Sequence, residues 1–221
     1  GDTSRWADLA DKYKVREYVQ SLGLGDTLVK LYGRWDKASD IDWDRLPNQF
    51  VLKVNNGCGD ILICRDKDKL DKATVIDTYD RLVSIKYGDV TGEPHYARIQ
   101  PCVIAEELLD INKQSINTSS LIDYKVWCLN GKPYCIWCAW NRGKEGADTG
   151  VYDLDWNYHP EWSVFTEHYR QGKEILPKPK CFERMLEVAS KLSEEFPILR
   201  VDLYEVNEKI YFGELTFTSL G

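Results

Sequence analysis

Apolar residues recur along this chain with two different periods. Across residues 6–22, Leu9, Tyr13, Val15 with Arg16, and Val19 fall near helical spacing, and Gly23 supplies a stop, so one helix is expected there. After a loop holding Asp40, Asp42 and Asp44, the Pro47-Asn48 turn leads into Phe50-Val51-Leu52-Lys53-Val54, a short apolar strand broken only by its lysine. Residues 55–60 read as a turn-rich loop and 61–64 as the returning strand. A helix is predicted over 69–86, and a loop over 87–96. Residues 101–109 begin as a strand and end in the acidic step Glu106-Glu107. Segments 123–129 and 133–140 flank Asn130-Gly131, a hairpin signal. Beyond Pro177 and Pro179, the residues Phe182, Met185, Leu186, Ala189, Leu192 and Phe196 make one helical stripe that reads as core. Two strands of alternating faces, 199–206 and 210–217, complete an α+β pattern of hairpins against a few helices.

Composition narrows this only slightly. The 221 residues are 43% hydrophobic and 29% charged, which is ordinary globular usage and excludes a disordered or fibrous chain. A net charge of −7, from 29 basic and 36 acidic residues, argues against a general nucleic-acid binder. No apolar run approaches the ~20 residues of a membrane-spanning helix, and no charged-then-apolar leader opens the sequence. Seven cysteines cannot all pair, and they sit in strand-like contexts, so a reducing cytoplasm is expected. Cys135 and Cys138 form a lone C-x-x-C with no second ligand pair, and read as packing thiols. No repeat or long linker divides the chain.

Geometry singles out the last hairpin. Arg200, Asp202 and Tyr204 share one face of its first strand, and Glu214 and Thr216 share one face of its second. A three-residue loop, Asn207-Glu208-Lys209, would set Asp202 opposite Glu214 and Arg200 opposite Thr216; a two-residue loop would send the carboxylates to opposite faces. Opposed like charges need compensation. Either a divalent cation such as Mg2+ supplies it, or the face is solvated and Arg200 neutralises it.

Two more clusters carry possible chemistry. Lys53 lies in an apolar strand just before Gly57-Cys58-Gly59, where a lysine and closely approaching backbone amides could receive phosphate. No P-loop or dinucleotide fingerprint is present, and the alternative is a hairpin turn beside a snorkelling lysine. Ala105-Glu106-Glu107-Leu108-Leu109 could present backbone groups to an adenine edge and a carboxylate to hydroxyls, or be an acidic loop.

Taken in order, these clusters resemble the ATP-grasp superfamily, in which two α+β lobes with antiparallel sheets clamp ATP. The phrases LPNQFVLK at 46–53, DYKVWCLNGKP at 123–133, RVDLY at 200–204 and YFGELTF at 211–217 are similar to the TupA-like ATP-grasp proteins, bacterial proteins linked to teichuronopeptide, capsule and other surface polysaccharides. The likeness runs from Asp11-Lys12 to Thr218. It implies an N-terminal helical segment at 1–49, an N-lobe with a glycine loop at 50–105 and a C-lobe with a metal-binding hairpin at 106–221. It further implies that Lys12 and Lys53 contact phosphates, and that Gly57, Gly59 and Asp60 lie in a loop closing over the triphosphate. Glu106, Glu107, Leu108 and Leu109 would form the adenine hinge and Asp123 would bind ribose. Asp202 and Glu214 would hold Mg2+ with Thr216 as a third donor, and Arg200 would steady an acyl phosphate. Thr216 stands where many relatives have a metal-binding asparagine, and the chain stops at Gly221 where relatives run on, so a truncated form is expected.

The implied reaction is ATP-dependent ligation of a carboxylate and an amine, the partners being an amino acid and a sugar unit of a surface polysaccharide. A phosphotransferase on the same fold and a non-catalytic assembly component are the competing readings. Trp127, Trp137, Trp140, Trp156 and Trp162 could stack on sugar rings, although core packing suits most of them. Asp148, Asp153 and Asp155 are expected in a loop, and none of the three histidines reads as a catalytic base.

Overall fold

The two periodicities resolve into ten strands and four α-helices in a computed structural model that describes residues 4–56, 61–85 and 96–217. Its residues form two units. One holds 4–18 and the described part of 29–108, the other 19–28 and 109–217.

The helix expected over 6–22 is in fact two, α1 (Ser4–Ala10) and α2 (Val15–Ser21). Asp11, only 2% exposed, interrupts it: its Oδ1 accepts from Tyr13 N at 2.8 Å and Lys14 N at 3.2 Å, offering the backbone a turn in place of the next helical bonds.

The first unit's sheet runs β1 (Leu31–Trp35), β4 (Val103–Glu106), β2 (Phe50–Val54), β3 (Ile61–Cys64) in spatial order, antiparallel throughout. Phe50, Leu52, Val54, Val103 and Ala105 turn one face onto Val75 and Tyr79 of α3 (Lys72–Val83). The Tyr79 hydroxyl donates to Leu52 O at 3.0 Å, so its polar tip is satisfied inside the core. Alternation places Val51, Lys53, Ile104 and Glu106 on the other face, with Ile61 and Ile63 of the edge strand about half exposed beside them. Helix α3 is shorter than predicted because Asp71 caps it, accepting from Thr74 N. Strand β1 corrects the reading of 1–49 as helical. Its pairing shifts register between Leu31 and Gly33, which hides the period-2 signal.

The second unit's six strands run β10 (Lys209–Thr216), β9 (Ile198–Val206), β5 (Asp123–Leu129), β6 (Lys132–Gly143), β7 (Gly146–Tyr152), β8 (Tyr169–Gln171). Among the described residues, only β7 and β8 pair in parallel in this sheet. Tyr124, Val126, Cys128, Ile136, Val201 and Leu203 make the buried face, against which α4 (Phe182–Ser193) packs Phe182, Met185, Val188, Ala189 and Leu192. The Asn130-Gly131 hairpin forms as expected, both residues at positive φ (48° and 74°), the geometry of a two-residue turn that suits strand twist. Asp148 lies in β7, where a loop was expected, because Gly146 and Gly150 make that segment look unlike a strand.

Cys135 and Cys138 are three apart on β6 and so project from opposite faces, where one ion cannot bridge them. Burial pushes the Cys135 thiol up to about 11 and the Cys138 thiol well above its usual range, so both stay protonated. Among the described residues, no helix is long and apolar enough to cross a membrane.

Candidate functional site

In the second unit, the sheet face away from α4 carries the charge. Asp202 on β9 is 1% exposed and lies directly across from Lys125 on β5 and Glu214 on β10. Its Oδ2 is 2.5 Å from Lys125 Nζ, and its Oδ1 accepts from Arg200 Nε at 2.7 Å. The Arg200 Nη2 group bridges onward, 3.0 Å from Asp202 Oδ2 and 3.3 Å from Glu214 Oε1. Asp123 joins from β5, its Oδ2 3.4 Å from Lys125 Nζ and 3.2 Å from Arg142 Nη2. Three carboxylates thus meet three cations. Burial opposes the charge on Asp202, yet Lys125 and Arg200 hold its carboxyl below the ordinary value. Burial likewise works against the charge on Lys125, and Asp202 and Asp123 overcome it, raising the ammonium's pKa. Coulombic repulsion from Asp123 and burial push the Tyr204 phenol far up, so it stays a neutral donor on the same face.

The hairpin reaches this arrangement by a route the sequence did not suggest. Its loop has two residues, not three: Val206 pairs with Lys209, and Asn207 and Glu208 take positive φ of 54° and 57°. That register alone would separate the carboxylates. The pairing then slips by one between Phe212 and Glu214, an insertion at Gly213 that returns Glu214 to Asp202 and Thr216 to Arg200. The facing pair is present, although it comes with the two-residue loop and not the three-residue one.

Glu214 and Asp202 are hard oxygen donors facing each other, with the Thr216 hydroxyl two pairs further along, and these are the donors a hard divalent cation takes. Lys125 and Arg200 nevertheless occupy both Asp202 oxygens, and no group of three or more histidine, cysteine or acidic side chains able to hold a metal ion occurs among the described residues. Glu214, with its side chain 34% exposed, is the accessible member, while Asp202 is held in place by its two cations.

In the first unit, Lys53 crosses the open face of β2 to Glu106 on β4, Nζ to Oε2 2.5 Å. Arg16 of α2 stands 3.6 Å from Glu106 Oε1, and its Nη2 donates to Val29 O at 2.8 Å. Glu106 is therefore a buried counter-ion at the end of β4. The chain leaves the sheet just after it: Glu107 N donates to Lys30 O at 2.9 Å, Leu108 is half-buried and Leu109 is buried. Lys12 sits in the turn between α1 and α2, not at a helix start, and its backbone N donates to Asn55 O at 3.0 Å, two residues beyond Lys53. Gly57, Gly59 and Asp60 lie outside the described residues. Just before them, Asn56 Nδ2 is buried with no hydrogen-bond partner among the described residues.

Sequence reasoning missed Lys125, Arg16 and Asn56. Lys125 had a usable signal, since it alternates with Asp123 on one strand and is as costly to bury there as Lys53 is in β2.

The sequence matches the family model described as TupA-like ATPgrasp over residues 2–221. No curated protein matches it. Among solved structures, the D-alanine–D-alanine ligase from Bacillus anthracis superposes with a TM-score of 0.57 at 15% identity, covering 96% of this chain and 58% of the ligase. A biotin carboxylase from Campylobacter jejuni in complex with a β,γ-ATP compound gives 0.54 at 14%, covering 96% and 41%. N5-carboxyaminoimidazole ribonucleotide synthetase from Thermus thermophilus gives 0.52 at 10%, covering 94% and 45%. The chain spans about half the length of these proteins, and at such identities the likeness establishes the fold.

Proposed function

Because the chain belongs to the TupA-like ATP-grasp family, we propose that it is an ATP-dependent carboxylate–amine ligase working in bacterial surface-polysaccharide synthesis. The observation that carries the reading is the balanced cluster of Lys125, Asp202, Arg200 and Glu214 on one sheet face. Groups already ordered by one another need no reorganisation when charge develops on a reacting phosphoryl or acyl group. The solved B. anthracis ligase in complex with ATP supports ATP as the nucleotide.

In this reading a substrate carboxylate attacks the γ-phosphorus of ATP, the bond to ADP breaks, and an acyl phosphate forms. An amine then attacks the acyl carbon and phosphate leaves. Arg200 spends Nε and Nη2 on carboxylates and makes no hydrogen bond through Nη1 to the described residues, which suits a donor to the acyl phosphate. Asp202, Glu214 and Thr216 would hold Mg2+, which when bound neutralises phosphate charge. From the first unit, Lys12, Lys53, Gly57, Gly59 and Asp60 are assigned to the phosphates, and Asn56 Nδ2, without a partner among the described residues, adds a donor next to Gly57 in sequence. The segment from Glu106 to Leu109 is assigned to adenine through its backbone, and Asp123 to ribose. Protonated buried thiols and the use of ATP fit the cytoplasm.

Coupled product release tests the reading. A ligase releases ADP and phosphate only when acid and amine are both supplied. Phosphorylated product without free phosphate would make it a kinase, and no turnover with any pair would make it a non-catalytic component.

A further inference from the structure

The face that carries the charged cluster does not end with it. Trp127 lies directly across from Arg200, and Trp137 directly across from Lys125, so aromatic rings continue the same surface from the cluster. There they line a cavity of about 250 Å³ with Tyr134, Cys135, Val151 and Trp162. Its lining has no charged side chain. Tyr134 and Trp162 form the rim, 56% and 46% exposed, with ring centroids 6.1 Å apart and planes within 15°. Such exposure is unusual for rings with so much apolar area, and isolated surface chemistry does not explain two stacked on one another.

The indole groups distinguish this cavity from core. Trp156, which stacks on Tyr152 and meets Phe182 edge-on, donates its Nε1–H to Leu176 O at 2.9 Å, as packed tryptophans do. Trp127, Trp137 and Trp162 donate theirs to no described residue. Three indole N–H groups and a phenolic hydroxyl of the lining residues are therefore left to water or to a ligand, beside an apolar floor. A wholly apolar ligand would leave those donors unanswered, and an anion would meet no cation in the lining. A ligand with a C–H face and a rim of oxygens satisfies both features.

We propose that this cavity binds a pyranose ring face-on, its hydroxyls toward the indole N–H groups and solvent, with its reacting substituent directed at the Arg200–Lys125 cluster. This rests on the ligase reading for the meaning of the cluster, and names the sugar as one of the two substrates. Binding to the ring itself needs no nucleotide.

The test is titration of the whole protein, without nucleotide, by saturation-transfer NMR and calorimetry. The probes are methyl glucopyranoside, methyl galactopyranoside and the matching disaccharides, with indole and N-acetylphenylalanine amide as apolar controls. Saturable binding of a glycoside, weakened at least about tenfold in both Trp162→Ala and Tyr134→Ala, is the expected result. Both side chains are exposed, so the variants should keep the wild-type circular dichroism and the Mg·ATP thermal shift. A disaccharide that binds more tightly assigns the ring to a chain end; equal binding assigns a free sugar. Absence of glycoside binding, binding untouched by both substitutions, or tighter binding of the apolar controls overturns the proposal. Glycoside binding without ATP turnover would instead overturn the ligase reading and leave the sugar site standing.

Discussion

Glu214 faces Asp202 across β9 and β10, and a single glycine puts it there. A Cβ on Gly213 would lie 2.9 Å from Asp202 O and 3.0 Å from Tyr204 Cε2, closer than backbone and ring can yield without shifting. Gly213→Ala is expected to cost about 1–3 kcal/mol, as overpacking does, and to push Glu214 off Asp202. Denaturant midpoints read the first effect, and loss of the Mg2+-dependent part of the nucleotide thermal shift reads the second. A variant of wild-type stability with the full shift would show that the register does not depend on this residue.

Lys125 holds the most buried carboxylate of the cluster, so removing it leaves Asp202 to Arg200 alone. Lys125→Met keeps the volume and deletes the charge, and about 3–5 kcal/mol should be lost, the usual result of breaking a buried pair from one side. Adding Asp202→Asn to that variant should cost far less than the two single changes summed. Additive losses in this double-mutant cycle would mean the two groups do not depend on one another.

Lys53 binds Glu106 in the first unit, and the proposed phosphate role sits on top of that ion pair. Lys53→Ala should therefore lower stability and also weaken ATP binding far more than adenosine binding. Comparing the thermal shifts given by the two ligands, each against the variant's own baseline, separates the effects. Equal losses for ATP and adenosine would remove Lys53 from the phosphate site.

The elements easiest to read from the sequence were those whose signal is local. Asn130-Gly131 and the α4 stripe state their conformations within a few residues. Strands β1 and β7 were hidden because Gly33, Gly146, Gly150 and Asp148 dilute the alternation that their sheet neighbours enforce. Loop length alone left the facing of Asp202 and Glu214 open, and in the structure the shorter loop and the insertion at Gly213 cancel. The pairing of Lys53 with Glu106 depends on which residues of β2 and β4 stand opposite, a long-range register that neither segment encodes alone. The family likeness reached the cluster through motif residues, while the aromatic cavity beside it emerged only once β5, β6 and β7 were set in register.

The rim of that cavity should respond to pH through His159. Its ring stacks on Trp162, centroids 3.9 Å apart and planes within 8°, while Nδ1 lies 2.7 Å from Glu161 Oε1 and Nε2 3.1 Å from Asp153 Oδ2. The hydrogen bond to Glu161, then that to Asp153, raises the imidazole pKa. A raised folded-state pKa means that the contribution is fully present below the ordinary value of about 6.5 and is lost as pH climbs through the higher folded value. Asp153 is held down to about 2, first by its bond from Asn157, so it stays charged throughout this range. The His159 Hε1 resonance should thus titrate above 6.5, and Glu161→Gln should bring the midpoint down. Amide exchange near Trp162 should quicken as pH rises above about 6.5, beyond its intrinsic base-catalysed increase, and His159→Gln should abolish that excess. A midpoint at or below the ordinary value, or an excess that survives His159→Gln, would show that the histidine clamp does not hold the rim.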